Sequence, residues 1–269
     1  MPERPEGQER FDAASVREAW DRAADAWAQG QSSGRDYYRY EFFGPAQVAM
    51  CGEVRGMRLL DVGCGSGYFA REMAQRGARV TGIDISPRMV EHARREEEAA
   101  PLGIEYQVGD AAEIGGRFPA GSFDMATSCM ALQDVPDVPA TLRGVAQVLR
   151  PGGRFVASVV HPCTDTPFRK WERDEAGRKR WLCIDRYFER GPLETAWSGW
   201  GYDFTTPALH ATLEDWFGWF ADAGFRVRAL REPRPTEEAV RARPELEDAA
   251  RVPYFLILDL VAGDPARRV

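Results

Sequence analysis

The sequence predicts an α/β protein built on a doubly wound, mostly parallel sheet. Three observations carry that prediction. Seven short apolar runs, at 57–62, 78–83, 104–109, 123–128, 154–160, 226–230 and 253–262, have the length and composition of strands. Helical periodicity fills 67–76, 87–98 and 138–149, so strands and helices alternate, as parallel strands joined by crossovers require. A glycine-rich turn, DVGCGSG at 61–67, joins the first strand to the first of these helices.

Residues 1–12 are polar and read as a disordered tail. From Ser15 onward, Val16, Trp20, Ala23, Ala24 and Trp27 recur at helical spacings of three and four. A second helical stretch, RDYYRYEFFGPAQVAM at 35–50, is dense in aromatics, and 13–53 reads as an N-terminal helical cap. The alternating core spans 54–160. The rhythm then breaks: 161–209 holds Trp171, Trp181, Tyr187, Trp197, Trp200 and Tyr202 among glycines. That is too long for a plain connection and reads as an inserted lid with an aromatic inner surface. ATLEDWFGWFADAGF at 211–225 is an amphipathic helix closed by Gly224, and 210–269 supplies the last two strands of the sheet.

Composition narrows the function classes. The chain has 269 residues and a formal net charge of −7, the wrong sign for a surface that neutralises phosphates, so no nucleic-acid partner is expected. No apolar run approaches the ~20 residues of a membrane span, and the polar N-terminus lacks a signal-peptide core; no membrane partner and a cytoplasmic location are expected. Five cysteines, an odd number without a C-x-x-C pair, and three scattered histidines give neither a disulfide framework nor a metal set. Cys163 and Cys183 read as buried packing residues, His92 as a solvated residue on a helix surface, and His210 as the start of the following helix.

The glycines point to a ligand. A strand-to-helix turn lets backbone approach a bound molecule closely where there is no Cβ, and the carboxyl ends of parallel strands are where open α/β sheets bind ligands. The spacing G-x-G-x-G at Gly63, Gly65 and Gly67, with Tyr68 following, departs from the G-x-G-x-x-G of dinucleotide sites and suits a diphosphate poorly. Asp84 ends the second strand, where a carboxylate accepts two hydrogen bonds from a ribose diol. Asp110 ends the third strand, within reach of a base amine, and Asp61 precedes the turn, placed to orient amides or meet an ammonium through water. Such carboxylates suit a ligand with a cationic amino-acid end, a ribose and a base.

DVGCGSG, Asp84, Asp110, FDMATSCMALQDVPD and LRPGGRF, in that order, resemble the class I S-adenosylmethionine-dependent methyltransferases over roughly 55–160. The C-terminal part, with HPC after the fifth strand, is similar to a bacterial small-molecule branch of that superfamily. The resemblance implies a Rossmann-like, seven-stranded sheet, and makes 54–160 the S-adenosylmethionine-binding core. It implies that Gly63, Gly65 and Gly67 approach the methionine moiety, that Asp84 holds the ribose hydroxyls, that Asp110 and Ala111 hold the adenine, that the Cys129 carbonyl meets the amino group, and that Cys64 and Ile85 also belong to the cofactor site. Tyr38 and Arg39 are expected to close over the cofactor, S-adenosyl-L-methionine. Related families place a His or an aromatic residue near Gln133, which this chain lacks.

The expected function is methylation of a small apolar or aromatic acceptor at O, N or C, with specialised metabolism as its expected setting. A hydroxyl acceptor gains from a general base, for which His161 stands at the rim after the fifth strand; the plain alternative is that it fixes the turn at Pro162. Trp20, Trp27, Tyr37, Tyr38, Phe42 and Phe43 wall an acceptor pocket or form the cap's own core. The segment 168–190 holds eight basic and five acidic residues and reads as a solvated hairpin, or as a receptor for an anionic group on the acceptor. The competing readings are a non-catalytic S-adenosylmethionine-binding protein and an NAD-dependent oxidoreductase. The second lacks a Tyr-x-x-x-Lys pair, since Lys170 and Lys179 are the only lysines. A base-modifying enzyme is disfavoured by SCMALQ where N/D-P-P-Y/F would stand. The oligomeric state is not legible.

Overall fold

The computed structural model describes residues 11–32, 36–199 and 202–263. Residues 1–10 of the expected tail at 1–12, together with Arg35 and Trp200, lie outside the described residues, while Asp12 accepts from the Ser15 amide at the start of α1.

Five parallel strands form the heart of the sheet: β1 (Arg58–Val62), β2 (Arg79–Asp84), β3 (Glu105–Val108), β4 (Phe123–Cys129) and β5 (Leu149–Val160). Two more strands, β10 (Phe225–Arg231) and β11 (Phe255–Ala262), complete it, and β11 runs antiparallel to both β5 and β10. The order is β10-β11-β5-β4-β1-β2-β3, so the direction of strand addition reverses between β1 and β4. Strand β1 is buried on both faces from Leu59 onward, as near-continuous apolar strands between two helical layers must be. The strand expected at 154–160 reaches back to Leu149 through a register shift opposite Phe123 and Met125.

The helices are α1 (Ala13–Ser32), α2 (Gly44–Cys51), α3 (Tyr68–Gln75), α4 (Pro87–Ala99), α5 (Ile114–Arg117), α6 (Val138–Val148), α7 (Leu213–Asp222) and α8 (Glu237–Ala242). Their starts are written locally. Ser86 accepts from the Met89 amide with Pro87 at the first turn, Asp137 accepts from the Ala140 amide, and Thr212 with Asp215 forms a reciprocal capping box. Within the expected second cap helix, Arg39–Phe43 is wound as a π-helix before α2 begins.

Side chains from α2 and β5 tie the cap to the sheet. Gln47 donates to the Ser128 carbonyl at 3.0 Å and accepts from the Ser158 hydroxyl at 2.7 Å. Arg154 bridges the fully buried Asp259 at 2.8 Å to the last carbonyls of α2, at Met50 and Cys51. Helix α1 docks on α4: Ser86 donates to Asp21 at 2.5 Å, and Asp25 takes both Arg88 and His92. His92, half-exposed on the surface of α4, therefore also makes an inter-helix bond.

Between β5 and α7 the chain forms two antiparallel hairpins, β6 (Phe168–Arg173) with β7 (Lys179–Asp185) and β8 (Gly191–Gly199) with β9 (Tyr202–His210). The irregular segment expected here is mostly extended. Strands β6 and β7 show no alternation of apolar and polar residues because they bury neither face fully, whereas β8 and β9 alternate inward and outward with Thr206, Ala208 and His210 buried. Cys183 is exposed and Cys163 half-buried, against the packing role expected for them. His210 ends β9 instead of starting a helix, with its ring nitrogens against the carbonyls of Asp165 and Tyr187. Among the described residues, no helix is long and apolar enough to cross a membrane.

Candidate active site

A cavity of about 490 Å³ lies over the carboxyl ends of β1 and β4, at the reversal of strand order. The glycine turn forms its floor, α1 and the π-helical segment one wall, and the two hairpins its roof.

The three glycines divide the work. A Cβ on Gly63 would come within 2.4 Å of the Ala131 Cβ, so this glycine lets the turn pack on the segment after β4. Gly67 has φ +93°, and a Cβ there would come within 2.5 Å of the Tyr106 hydroxyl. It does not line the cavity, which corrects the expectation that it approaches the ligand; its missing Cβ lets the turn pack against Tyr106 of β3 and Ala93 of α4. Gly65 has φ +54°, and a Cβ there would meet nothing closer than the Trp27 indole nitrogen at 4.0 Å. Gly65 is the open floor of the site.

The turn's amides are spent internally. Gly63 and Cys64 donate to the Ile83 carbonyl, Gly67 to the Cys64 carbonyl, and Gly65 to Asp84 Oδ2 at 2.8 Å. No cradle of free N–H groups for a pyrophosphate exists at these four positions.

The strand-end carboxylates stand where the sequence put them. Asp61 is 1% exposed; its Oδ1 accepts from Thr127 at 2.7 Å, and its Oδ2 is buried without a close hydrogen bond, with the Ala70 amide at the start of α3 also acting on the carboxylate. Burial pushes its carboxyl up to about 7. Asp84 accepts from the amides of Gly65 and Ser86, one on each oxygen, and burial raises its carboxyl too. Asp110 accepts from the Ala112 amide at 2.9 Å. Ile85, Ala111, Cys64 and Cys129 also line the cavity.

From the cap, Arg39 is buried against Asp36 at 3.1 Å, with the rings of Trp27, Phe43 and Tyr68 each within 5.4 Å of its guanidinium carbon. Tyr38 donates to Asp248. Both line the cavity, with Trp20, Trp27 and Phe43. Phe42 packs in a cluster with Phe43, Leu246 and Ala249, with Tyr37 and Tyr38 against it, so the aromatic stretch supplies both wall and core. From the roof, Trp171 and Trp197 line the cavity, whereas Trp181 is exposed.

His161 is not brought to the cavity. It is 4% exposed; its Nδ1 accepts from the Cys163 amide at 3.2 Å and its Nε2 bonds Glu232 at 2.9 Å. Desolvation lowers its pKa, and the two bonds fix the chain as it leaves β5. Lining residues that the sequence reading passed over include Tyr68, Gln133, Asp134, Asp165, Arg169 and Tyr254. Gln133 and Asp134 had a signal, their place just after a strand's carboxyl end; Tyr254 had none, since the antiparallel return of β11 delivers it.

The residues fit one kind of ligand. A carboxylate oxygen of Asp61 without a close hydrogen bond, a floor open only at Gly65, and acids at the ends of β2 and β3 match a cation, a ribose and a base on one molecule. Among the described residues, no group of three or more His, Cys, Asp or Glu is placed to hold a metal ion. Fold and site together define an α/β protein that holds an adenosine-type ligand at the strand-order reversal. Comparison with known proteins gives the family. A model of the methyltransferase domain matches residues 60–157. The crystal structure of an S-adenosylmethionine-dependent methyltransferase from Mesorhizobium loti superposes with TM-score 0.70 and 37% identity, over 81% of this chain and 96% of that one. One from Listeria monocytogenes gives TM-score 0.70 at 26% identity, over 82% and 96% of the two chains. A ubiquinone biosynthesis O-methyltransferase of Xanthomonas euvesicatoria is 38% identical over 109 residues, 40% of this chain; the match spans 45% of that relative, under half its length. The chain belongs to the class I S-adenosylmethionine-dependent methyltransferase superfamily, whose cofactor is S-adenosyl-L-methionine.

Proposed function

We propose that this protein transfers a methyl group from S-adenosyl-L-methionine to a small apolar or aromatic molecule. The observation that carries the reading is the set of strand-end carboxylates around Gly65, with one buried Asp61 oxygen lacking a close hydrogen bond. Asp61 would meet the ligand's ammonium, Asp84 the ribose hydroxyls and Asp110 the adenine edge. The bound cofactor supplies an electrophilic methyl group on positively charged sulfur. The chain's own task is to hold the acceptor in line beside that group and to exclude water, which supplies up to ~7–11 kcal/mol through orientation alone. The aromatic walls from α1 and the hairpins suit a flat acceptor. The Xanthomonas relative is named for O-methylation, which favours an oxygen acceptor.

The hairpin's basic residues lend little support to an anionic acceptor. Arg169 and Lys179 do line the cavity, but Arg169 is matched by Asp165 at 2.7 Å and Lys179 by the buried Asp248.

Calorimetry tests the reading. S-adenosylmethionine and S-adenosylhomocysteine are expected to bind and NADH not to, with Asp84→Ala weakening the first two by about tenfold or more, since it removes both the ribose partner and the clamp on the Gly65 amide. Binding of NADH alone, or an unchanged dissociation constant in Asp84→Ala, overturns it.

A further inference from the structure

The β6–β7 hairpin of the roof is tied down in two places. Toward its tip, Lys179 bonds the buried Asp248, Arg251 donates to the carbonyls of Lys179 and Arg180 at 2.8 and 3.0 Å, and Trp171 donates to the Tyr254 hydroxyl at 3.0 Å. The feet of the hairpin are tied elsewhere. Asp165 leads into β6 and Tyr187 follows β7, and one side chain, His210 at the end of β9, meets the carbonyls of both.

His210 is 3% exposed. Its Nδ1 lies 3.0 Å from the Asp165 carbonyl oxygen and its Nε2 lies 2.8 Å from that of Tyr187. A carbonyl oxygen only accepts, so each contact needs an N–H on the ring. A neutral imidazole has one N–H; the imidazolium has two. Turning the ring over would set C–H groups against both oxygens in place of the nitrogens. The two contacts are both hydrogen bonds only when the ring carries its second proton. His161 shows the other case: its Nδ1 accepts from an amide and its Nε2 faces a carboxylate, an arrangement that a neutral ring satisfies.

The charged groups on the elements around His210 are engaged with one another. Asp165 pairs with Arg169 at 2.7 Å, and Arg190 pairs with Asp215 at 2.7 Å and with Glu214 at 3.4 Å. The Tyr187 ring stands 6.0 Å from the imidazole, its hydroxyl accepts from the Leu213 amide, and the Cys163 thiol lies beside that hydroxyl. Among the described residues no carboxylate bonds the ring, so carbonyl oxygens receive both of its protons.

We propose that His210 is a proton-operated pin for the roof: as an imidazolium it holds both feet of the β6–β7 hairpin, and as pH rises it gives up one proton and releases one foot. A carbonyl that loses its donor no longer favours the closed arrangement. The hairpin carries Arg169, Trp171 and Lys179 into the cavity, so the pin sets how readily the roof opens over it. The sign follows from the geometry. The proton is bound more favourably with the feet in place than with them apart, so the closed roof is firmest at acid pH and loosens toward alkaline pH.

The test begins with nitrogen NMR of the full chain labelled at histidine. The chain has three histidines, and His92→Gln and His161→Gln assign the signals of His210 by elimination, leaving the pin intact. At about pH 5.5 both nitrogens of His210 are expected to carry protons, and at about pH 8.5 only one. Amide hydrogen exchange, corrected for its intrinsic pH dependence, then reads the roof. Exchange in β6 and β7 is expected to quicken by about fivefold between those two conditions, the worth of roughly one hydrogen bond, while β4 stays level. In His210→Gln, whose amide takes up no proton, the hairpin is expected to exchange alike in both. A neutral His210 ring at the acid condition, wild-type hairpin exchange that does not change with pH, or a rise that persists in His210→Gln overturns the proposal. The first two outcomes are read on chains that keep His210, so they decide the matter even if His210→Gln does not fold.

Discussion

The two sides of the cavity carry charge in opposite ways. On the sheet side, Asp61, Asp84 and Asp134 face the cavity with no cation among the groups that lower their pKa values, and burial raises all three. On the cap and roof side, each lining cation has its carboxylate: Arg39 with Asp36, Arg169 with Asp165, Lys179 with Asp248. Asp248 is the fullest case. It is 2% exposed and accepts from Lys179 of β7, Tyr38 of the cap, Tyr254 before β11 and the Ala249 amide. The contrast separates binding from closure. Unmatched buried carboxylates are costly until a ligand brings donors and positive charge, whereas matched pairs hold three chain segments together around it.

The largest expected effect comes from breaking the matched side. Asp248→Ala removes the shared partner of cap, hairpin and β11 at once and is expected to destabilise the fold by about 3 kcal/mol, the lower part of the range for a broken buried pair because Lys179 still reaches water. Chemical denaturation measures the loss, and proteolysis in the turn at 174–178 should quicken. If stability is unchanged, the closure role of Asp248 is wrong.

The unmatched side is probed by pH. The Asp61 carboxyl is raised from 3.8 to about 7 in the ligand-free protein, so its contribution to stability is fully present below its unfolded value and is lost as pH climbs through the window from about 4 to 7. A cationic ligand favours the ionised form and reverses the trend. The affinity for S-adenosylmethionine is therefore expected to rise with pH by up to about tenfold per unit below 7 and then level off, while Asp61→Asn flattens the curve. A wild-type affinity independent of pH between 5 and 8 would remove Asp61 from the cation site.

The smallest expected effect sharpens the boundary between the two sides. His161 touches neither, so His161→Gln is expected to cost about 1 kcal/mol of stability through its bonds to Cys163 and Glu232 and to leave S-adenosylhomocysteine affinity within twofold. A large loss of affinity would place His161 in the site after all.

The sheet was legible because its signals are local. An apolar run such as RLLDV, a capping serine before Pro87 and an aspartate at a strand end each announce themselves within a few residues. The hairpins were not, because β6 and β7 have no buried face and the inward face of β8 and β9 holds Thr206, Ala208 and His210 in place of a repeated large apolar residue. The third glycine misled for a related reason: its neighbour is Tyr106, thirty-nine positions on, and only the packing of β3 beside β2 brings that hydroxyl to 2.5 Å from where a Cβ would lie. Asp134 has its position written in the sequence, but not its isolation from every cation among the described residues.

The sequence by itself determined the strand-and-helix alternation, the bend at Gly65 and the carboxylates at the ends of β1, β2 and β3, because backbone propensity and strand period act over a few residues. The tertiary structure alone decided which charges are neutralised and which stay open. Lys179, Tyr38 and Tyr254 converge on Asp248 from distant parts of the chain, and none reaches Asp134. Electrostatic pairing acts through space at a few ångströms, so it depends on how the folded segments meet and not on their order along the chain.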